Sequence, residues 1–424
     1  MPCRLFGCKV VTHAPSPPKA VTMTEMTNDE RGTLEKAAEE PMLDQTQRWA
    51  QINSGSTNLA GLKTVAGELA NAFASLPGEL ELADPVAGEI VKPDGSIVQR
   101  ETGKNLHLTV RPDAPVQVLL TGHMDTVFSE THPFQDLTWL DDNTLNGPGV
   151  TDMKGCIALM LSALKAVETS PLASRIGYEV VINSDDEIGS PGSAALLAQA
   201  AKGKLAALTY EPALPDGTLA GARGGSGNWS ISLTGKSAHA GRNPEEGRSA
   251  LLAAAELALK LEAAVGPGLK VNPAKIEGGG ANNVVPDHAV LRLNMRPETL
   301  EDQDRAQHLL DEAVADIQSR REVDIHVHGG FGRPPKPIDP QAEKLFGLVK
   351  ECGADLGLDI AWKSTGGVCD GNNIAACGVP VVDTMGVRGG AIHSSDEFLI
   401  VDSLPERAQL SALVLLRLAE RGKL

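Results

Sequence analysis

Two stretches limit what this chain can fold into: "VQVLLTGHMDTVF" at 116–128 and "GYEVVINSDDE" at 177–187. Each is an unbroken apolar run that turns polar only at its end. A half-exposed strand would alternate, and a surface helix would space its apolar residues three and four apart. A short continuous run reads instead as a strand covered on both faces, as in parallel sheets. Between the two lies "MKGCIALMLSALKAV" (153–167), with the apolar spacing of a helix. After them come "SPGSAALLAQAA" (190–201), a helix with proline near its start, and "AALTYEP" (206–212), a third strand. This alternation predicts an α/β fold, a mostly parallel sheet with helices on both faces. Such sheets put their chemistry beyond the carboxyl ends of the strands. His123, Asp125, the acidic triplet Asp185–Asp186–Glu187 and Glu211 all sit at such ends.

Past residue 222 the texture changes. Strand-like "GSGNWSISLTGKSAHA", helical "GRSALLAAAELALKLEAAV", two further strands, a long helix and "EVDIHVH" follow one another as β-α-β-β-α-β. That order predicts a ferredoxin-like α+β module inserted into the first domain. The expected division is a catalytic domain over 41–222 and 333–424, an inserted module over 223–332, and a disordered leader over 1–40. At 424 residues the chain exceeds one ordinary core, in keeping with two domains. Its net charge of −17 speaks against nucleic acid or an anionic membrane as partner. No apolar run approaches the ~18–20 residues of a membrane span. The six cysteines show neither paired metal spacing nor disulfide density, and the first 20 residues make a poor secretory signal. A cytoplasmic location is expected.

The residues with chemistry stand in glycine-rich frames: His123 and Asp125 in "GHMDTVF", Asp152 in "GPGVTDMKG", the triplet in "NSDDEIGS", Glu211 in "TYEP" and His393 in "GGAIHSSDEF". Imidazoles and carboxylates without thiolates suit Zn²⁺, Co²⁺ or Mn²⁺, and a bridging carboxylate suits two such ions. Taken singly, each piece is weak, since a lone histidine or strand-end acid is commonly a satisfied polar group. In this order, they are far harder to reach by chance.

From about residue 40 onward the chain resembles the co-catalytic zinc metallopeptidase and deacylase family that includes glutamate carboxypeptidase, acetylornithine deacetylase, succinyl-diaminopimelate desuccinylase and aminoacylase. It is nearest in loop texture to the glutamate carboxypeptidase branch. The resemblance implies two divalent metal ions, zinc first, held by His123, Asp152 as the bridge, Glu187, Glu211 and His393. It implies that Asp125 orients the His123 ring, and that the Asp152–Met153 peptide is cis. The inserted module would serve dimerisation, with "SAHAGRNPEEGRSA" supplying His239 to the oxyanion, in relatives that form dimers across the subunit boundary. Asn283 and Arg296 would hold the free carboxylate of the substrate, with the backbone of Gly389 and Gly390 close by.

One position departs from the family's pattern. The general base there is the acid before the metal-binding glutamate, usually Glu; here it is Asp186, one methylene shorter. Either the strand end shifts to compensate, a water relays the proton, or the enzyme is impaired. The reading that results is a homodimeric two-metal hydrolase that cleaves a peptide or N-acyl amide bond beside a free carboxylate. A carboxypeptidase acting on small peptides comes first; an N-acyl-amino-acid deacylase or an impaired family member kept as a binding protein are the alternatives.

Overall fold

The computed structural model describes residues 26–424. Its larger part is built on a six-stranded sheet, ordered Glu79–Ala83, Asn105–Val110, Ile176–Asn183, Val116–His123, Ala206–Thr209 and Val381–Val382. The first two pairings are antiparallel and the other three parallel. Val116–His123 lies between two parallel neighbours, and seven of its eight residues are buried. Its apolar run exists because neither face meets water.

Register does most of the work of assembling the site. His123 pairs with Asn183, and Thr121 pairs with Thr209. Glu211, two residues past Thr209, therefore emerges level with His123, and the acidic triplet leaves the sheet immediately beside it. The link Met124 N–H to Asn183 C=O, at 2.7 Å, keeps the two strand ends together as they depart.

The helix Gly155–Glu168 is buried over nearly its whole circumference, sandwiched between the sheet and the helices Asn28–Glu39 and Ser403–Arg421. A helix apolar all round belongs in an interior of this kind. Before it, residues Val150–Lys154 form a wide, kinked turn in which Asp152 and Met153 leave helical geometry; their shared peptide is cis.

The leader expected over 1–40 is corrected in part. Residues 1–25 lie outside the described residues, but Asn28–Glu39 is a helix with a capping box, Thr27 and Glu30 each bonding the other's backbone N–H. It buries Leu34 and Ala37 in the main core, and Glu30 receives Arg417 Nε at 3.1 Å. Ser162 Oγ donates to Ala37 C=O at 2.7 Å. A cap supplies about 1 kcal/mol, so the buried apolar face and this ion pair hold the helix down.

Residues 226–333 make a second unit with its own core. Four antiparallel strands, in the order Leu269–Gly278, His288–Pro297, Ser226–Thr234 and Asp324–Arg333, are backed by the helices Ala250–Glu262 and Leu300–Arg321. Trp229, Ile231 and Leu233 alternate inward, and Trp229 meets Phe331 edge-on at 4.8 Å between centroids. The chain enters and leaves this unit side by side, for the N–H of Arg223 donates to Lys336 C=O and that of Lys336 to Arg223 C=O, both at 2.9 Å. Both side chains are buried against one carboxylate: Arg223 Nε and Lys336 Nζ stand 2.6 Å and 3.0 Å from Asp383 Oδ2.

Candidate active site

Beyond the strand ends, four side chains gather around Asp152. One of its oxygens lies 3.0 Å from His123 Nε2 and the other 3.3 Å from His393 Nε2. His393 Nε2 also reaches Glu187 Oε2 at 3.2 Å, and His123 Nε2 lies 3.9 Å from Glu211 Oε1. Asp152 thus stands between two imidazoles, with one further carboxylate beside each. His123 is held from behind, since its Nδ1 meets the backbone oxygen of Asp125 at 3.0 Å and the Asp125 carboxylate at 3.4 Å. That leaves Nε2 as the nitrogen facing the cluster.

Asp125 does more than steady the ring. Its carboxylate accepts from Ser56 Oγ at 2.7 Å and from the N–H groups of Asp186 and Glu187, each at 3.2 Å. It is therefore the strut under the acidic turn. Asp185 faces away from the cluster and accepts from Gly192 N–H and Ser193 Oγ, both at 2.6 Å. The three consecutive acids have three distinct environments.

The electrostatics are those of crowded carboxylates. Burial pushes the Glu187 carboxyl up to about 7, with the charge of Asp152 adding to it. Burial raises Glu211 well above the usual range, again with Asp152 contributing. Burial opposes ionisation of Asp152 too, but His123 and His393 win and pull it down. The Asp152 and Glu187 carboxylates hold the His393 imidazole up at about 10. Two sets of donors come within 4.8 Å of one another, His123–Asp152–Glu187 and His123–Asp186–Glu211. Imidazole and carboxylate without thiolate, buried and in surplus negative charge, fit a hard or borderline divalent ion.

A cavity of about 260 Å³ opens beside this cluster. Besides the acids and histidines, its lining includes the apolar Leu214, Leu219, Val368 and Ile392, together with Arg223 and Lys363. The matching family model, peptidase family M20/M25/M40, spans residues 119–417 and so takes in every side chain of the cluster. The chain belongs to that family. It is similar to carboxypeptidase G2 of Pseudomonas sp. (strain RS-16), with 30% identity over 74% of this chain and 77% of that one. It is also similar to succinyl-diaminopimelate desuccinylase of Psychrobacter sp. (strain PRwf-1), with 28% identity over 72% and 80% of the two chains. Among solved structures, a tripeptidase from Staphylococcus aureus superposes with a TM-score of 0.67 at 23% identity, covering 89% of this chain and 98% of that one. This M20-family chain is a metal-dependent hydrolase on a peptidase fold.

Other residues named from the sequence lie apart from the cluster. His239 is exposed at one end of the inserted module, beside Asn283, whose C=O accepts from Ala240 N–H at 2.9 Å. Arg296 is exposed as well. It donates to Asn294 Oδ1 and Gly366 C=O at 3.1 Å each, and it lines a second cavity adjoining the first at Arg223 and Thr365. Gly389 and Gly390 form a short strand against Phe398 and Leu399. A side chain at Gly389 would strike Phe398 C=O and Thr151, so glycine is required there for close packing.

Two residues escaped the sequence reading. Glu397 is fully buried, and its carboxylate accepts from the N–H groups of Gly149 at 3.2 Å and of Thr151 and Asp152 at 3.0 Å each. It ties the His393 loop to the turn that carries Asp152. Arg333, at the end of the module's last strand, donates to Asp186 Oδ1 at 2.7 Å. An acid four residues beyond His393 was the only available signal for Glu397, and nothing local marks Arg333.

Proposed function

We propose that this enzyme is a two-metal carboxypeptidase that cleaves the amide bond of a small peptide or acylated amino acid next to a free carboxylate, in the manner of the glutamate carboxypeptidase branch. The observation that carries this reading is Asp152 set between His123 and His393, one oxygen to each, with Glu211 and Glu187 at the two flanks. Two divalent cations, zinc in this reading with cobalt or manganese as substitutes, would supply Lewis-acid polarisation of the scissile carbonyl and a lowered pKa for the attacking water. His123, Asp152 and Glu211 would hold one of them, and Asp152, Glu187 and His393 the other.

The chain's own groups divide the remaining tasks. Asp186 takes the proton of the attacking water on a carboxylate oxygen and returns it to the nitrogen of the departing amine. His239 Nε2–H donates to the carbonyl oxygen as charge develops there. Arg296 and Asn283 bind the substrate carboxylate, for which the flat guanidinium fork is well shaped. In the arrangement described, none of His239, Asn283 and Arg296 lines the cavity beside the cluster, and Arg296 borders the adjoining one. The reading therefore includes a swing of the inserted module over the site and pairing of two copies through it.

Leu214, Leu219, Val368 and Ile392 in the cavity lining suit an aromatic or bulky acyl group, which favours the carboxypeptidase over a deacetylase. A second reading has its own support, because Lys363 in the same lining would suit an acyl group ending in a carboxylate, as in an N-succinyl amino acid. Hydrolysis of a panel of N-benzoyl, N-aminoacyl, N-succinyl and N-acetyl amino acids with Zn²⁺ or Co²⁺ separates them. Benzoyl- or aminoacyl-glutamate should be cleaved fastest. Preference for N-succinyl compounds would move the assignment to the deacylase, and no turnover of any compound with either metal would sink both.

A further inference from the structure

Asp186 is held in a way that the short side chain alone does not provide. Its backbone N–H is anchored on Asp125 Oδ1 at 3.2 Å. From the other side, Arg333 Nη2 donates to Asp186 Oδ1 at 2.7 Å and to its backbone oxygen at 3.2 Å. The guanidinium is itself rigidly placed. Nη1 donates to Asp370 Oδ1 at 2.7 Å and to Asn373 Oδ1 at 2.9 Å, while Nη2 also reaches Ser190 Oγ at 3.0 Å. Asp370 is fixed in turn by Asn183 Nδ2 and Ser190 Oγ, both at 2.6 Å. Only 5% of the Arg333 side chain is exposed.

We propose that Arg333 is the positioning residue for Asp186: it pins one carboxylate oxygen so that the group stays turned toward His123 and Glu211, giving an aspartate the defined reach that a longer glutamate would otherwise supply. This rests on the reading of Asp186 as the proton acceptor. A carboxylate gripped at one oxygen loses its freedom to rotate, and the group keeps its place in the set with His123 and Glu211. Arginine suits this brace because one planar fork serves Asp186 and Asp370 together; an ammonium offers no such fixed fork. The alternative is a plain structural staple that ties the module's last strand to the catalytic domain, with no bearing on the acid's geometry.

The test uses the full chain, loaded with Zn²⁺, and the best substrate of the panel above. Misplacing a catalytic group by about 1 Å costs roughly 100-fold in rate, so Arg333→Met should lose about that factor in kcat. KM should stay within about twofold and bound zinc per chain should be unchanged, because substrate-binding groups and metal-holding residues are not removed. Arg333→Lys, which keeps a charged donor, should recover part of the loss and covers the case in which the methionine variant fails to fold. In an Asp186→Asn background, Arg333→Met should add no further loss, since both changes act through one carboxylate. A crystal structure of Arg333→Met should show the Asp186 carboxylate turned away from His123; an unmoved carboxylate overturns the proposal. The failures are separable. A wild-type enzyme inert toward the whole panel overturns the function itself. An active wild type whose Asp186→Asn variant keeps its kcat overturns the base. An inactive Asp186→Asn beside an Arg333→Met of unaltered kcat overturns the role of Arg333 alone.

Discussion

Replacing Asp125 by asparagine tests how the acidic turn is supported. The side chain is fully buried, and both oxygens are in use: Oδ1 accepts from Asp186 N–H, and Oδ2 from Ser56 Oγ and Glu187 N–H. Asparagine has the same shape, so no cavity opens. Yet one oxygen becomes an NH₂ group, which in either orientation faces a backbone N–H. One buried donor is then orphaned, at about 1–3 kcal/mol, and the two remaining bonds fall from charged to neutral acceptors at about 1 kcal/mol each. The total is about 3–5 kcal/mol. Urea unfolding of chelator-treated protein, followed by tryptophan fluorescence, should show a midpoint lowered by up to about 1 M, the energy lost divided by the steep denaturant dependence of a large chain. The relaxed turn should also loosen Glu187 and the ring of His123. Losing a partner that orients metal-holding residues typically costs 10–100-fold in metal affinity, which a competitive zinc titration would read. An unchanged midpoint refutes the hydrogen-bond reasoning, and a lowered midpoint with unchanged zinc affinity refutes the link from Asp125 to the metal centre.

Three further outcomes follow from the same geometry. Chelation should abolish turnover and lower the melting temperature, because an ion at 100 times its Kd stabilises the fold by about 2.7 kcal/mol per site; scanning fluorimetry with and without EDTA checks this, and coincident curves would count against a bound ion. Arg296→Met should raise KM about 10–100-fold with kcat nearly unchanged, the loss of a charged hydrogen bond to substrate; steady-state kinetics in which KM stays put would remove Arg296 from the substrate site. Leu252 and Leu259 expose 56% and 70% of their surface on one helix of the inserted module, and the double change to glutamate should turn a dimer into a monomer in sedimentation velocity. A wild type that already sediments as a monomer would end the dimer reading.

How much of this could be seen in the sequence depended on distance along the chain. The apolar run ending at His123 announced a strand covered on both sides, and the sheet has that strand between two parallel partners. Polar residues at strand ends were visible because strand and site share one local signal. Arg333 was invisible, since its partner Asp186 lies 147 residues earlier and no local pattern marks an arginine that will be buried. Glu397 was hidden in the same way, 245 residues from Asp152. The helix Asn28–Glu39 was misjudged because its composition is polar and a proline-rich tract precedes it. Its reason for folding, Arg417, stands 387 residues away from Glu30. His239, Asn283 and Arg296 could be named but not located, for their distance from the cavity depends on where the inserted module rests.

The double hydrogen bond between Arg223 and Lys336 says something about the chain's architecture as a whole. Where the inserted module begins and ends, the two passing strands are already as close as the limbs of a hairpin. A tight turn could join them, and the six-stranded sheet, which has no strand from the module, would keep all its strands. Measured by connectivity, then, the module is detachable cargo. Measured by Arg333, which leaves its last strand to grip Asp186, it is not: cutting it out at that neck would take away the arginine that braces the acid turn.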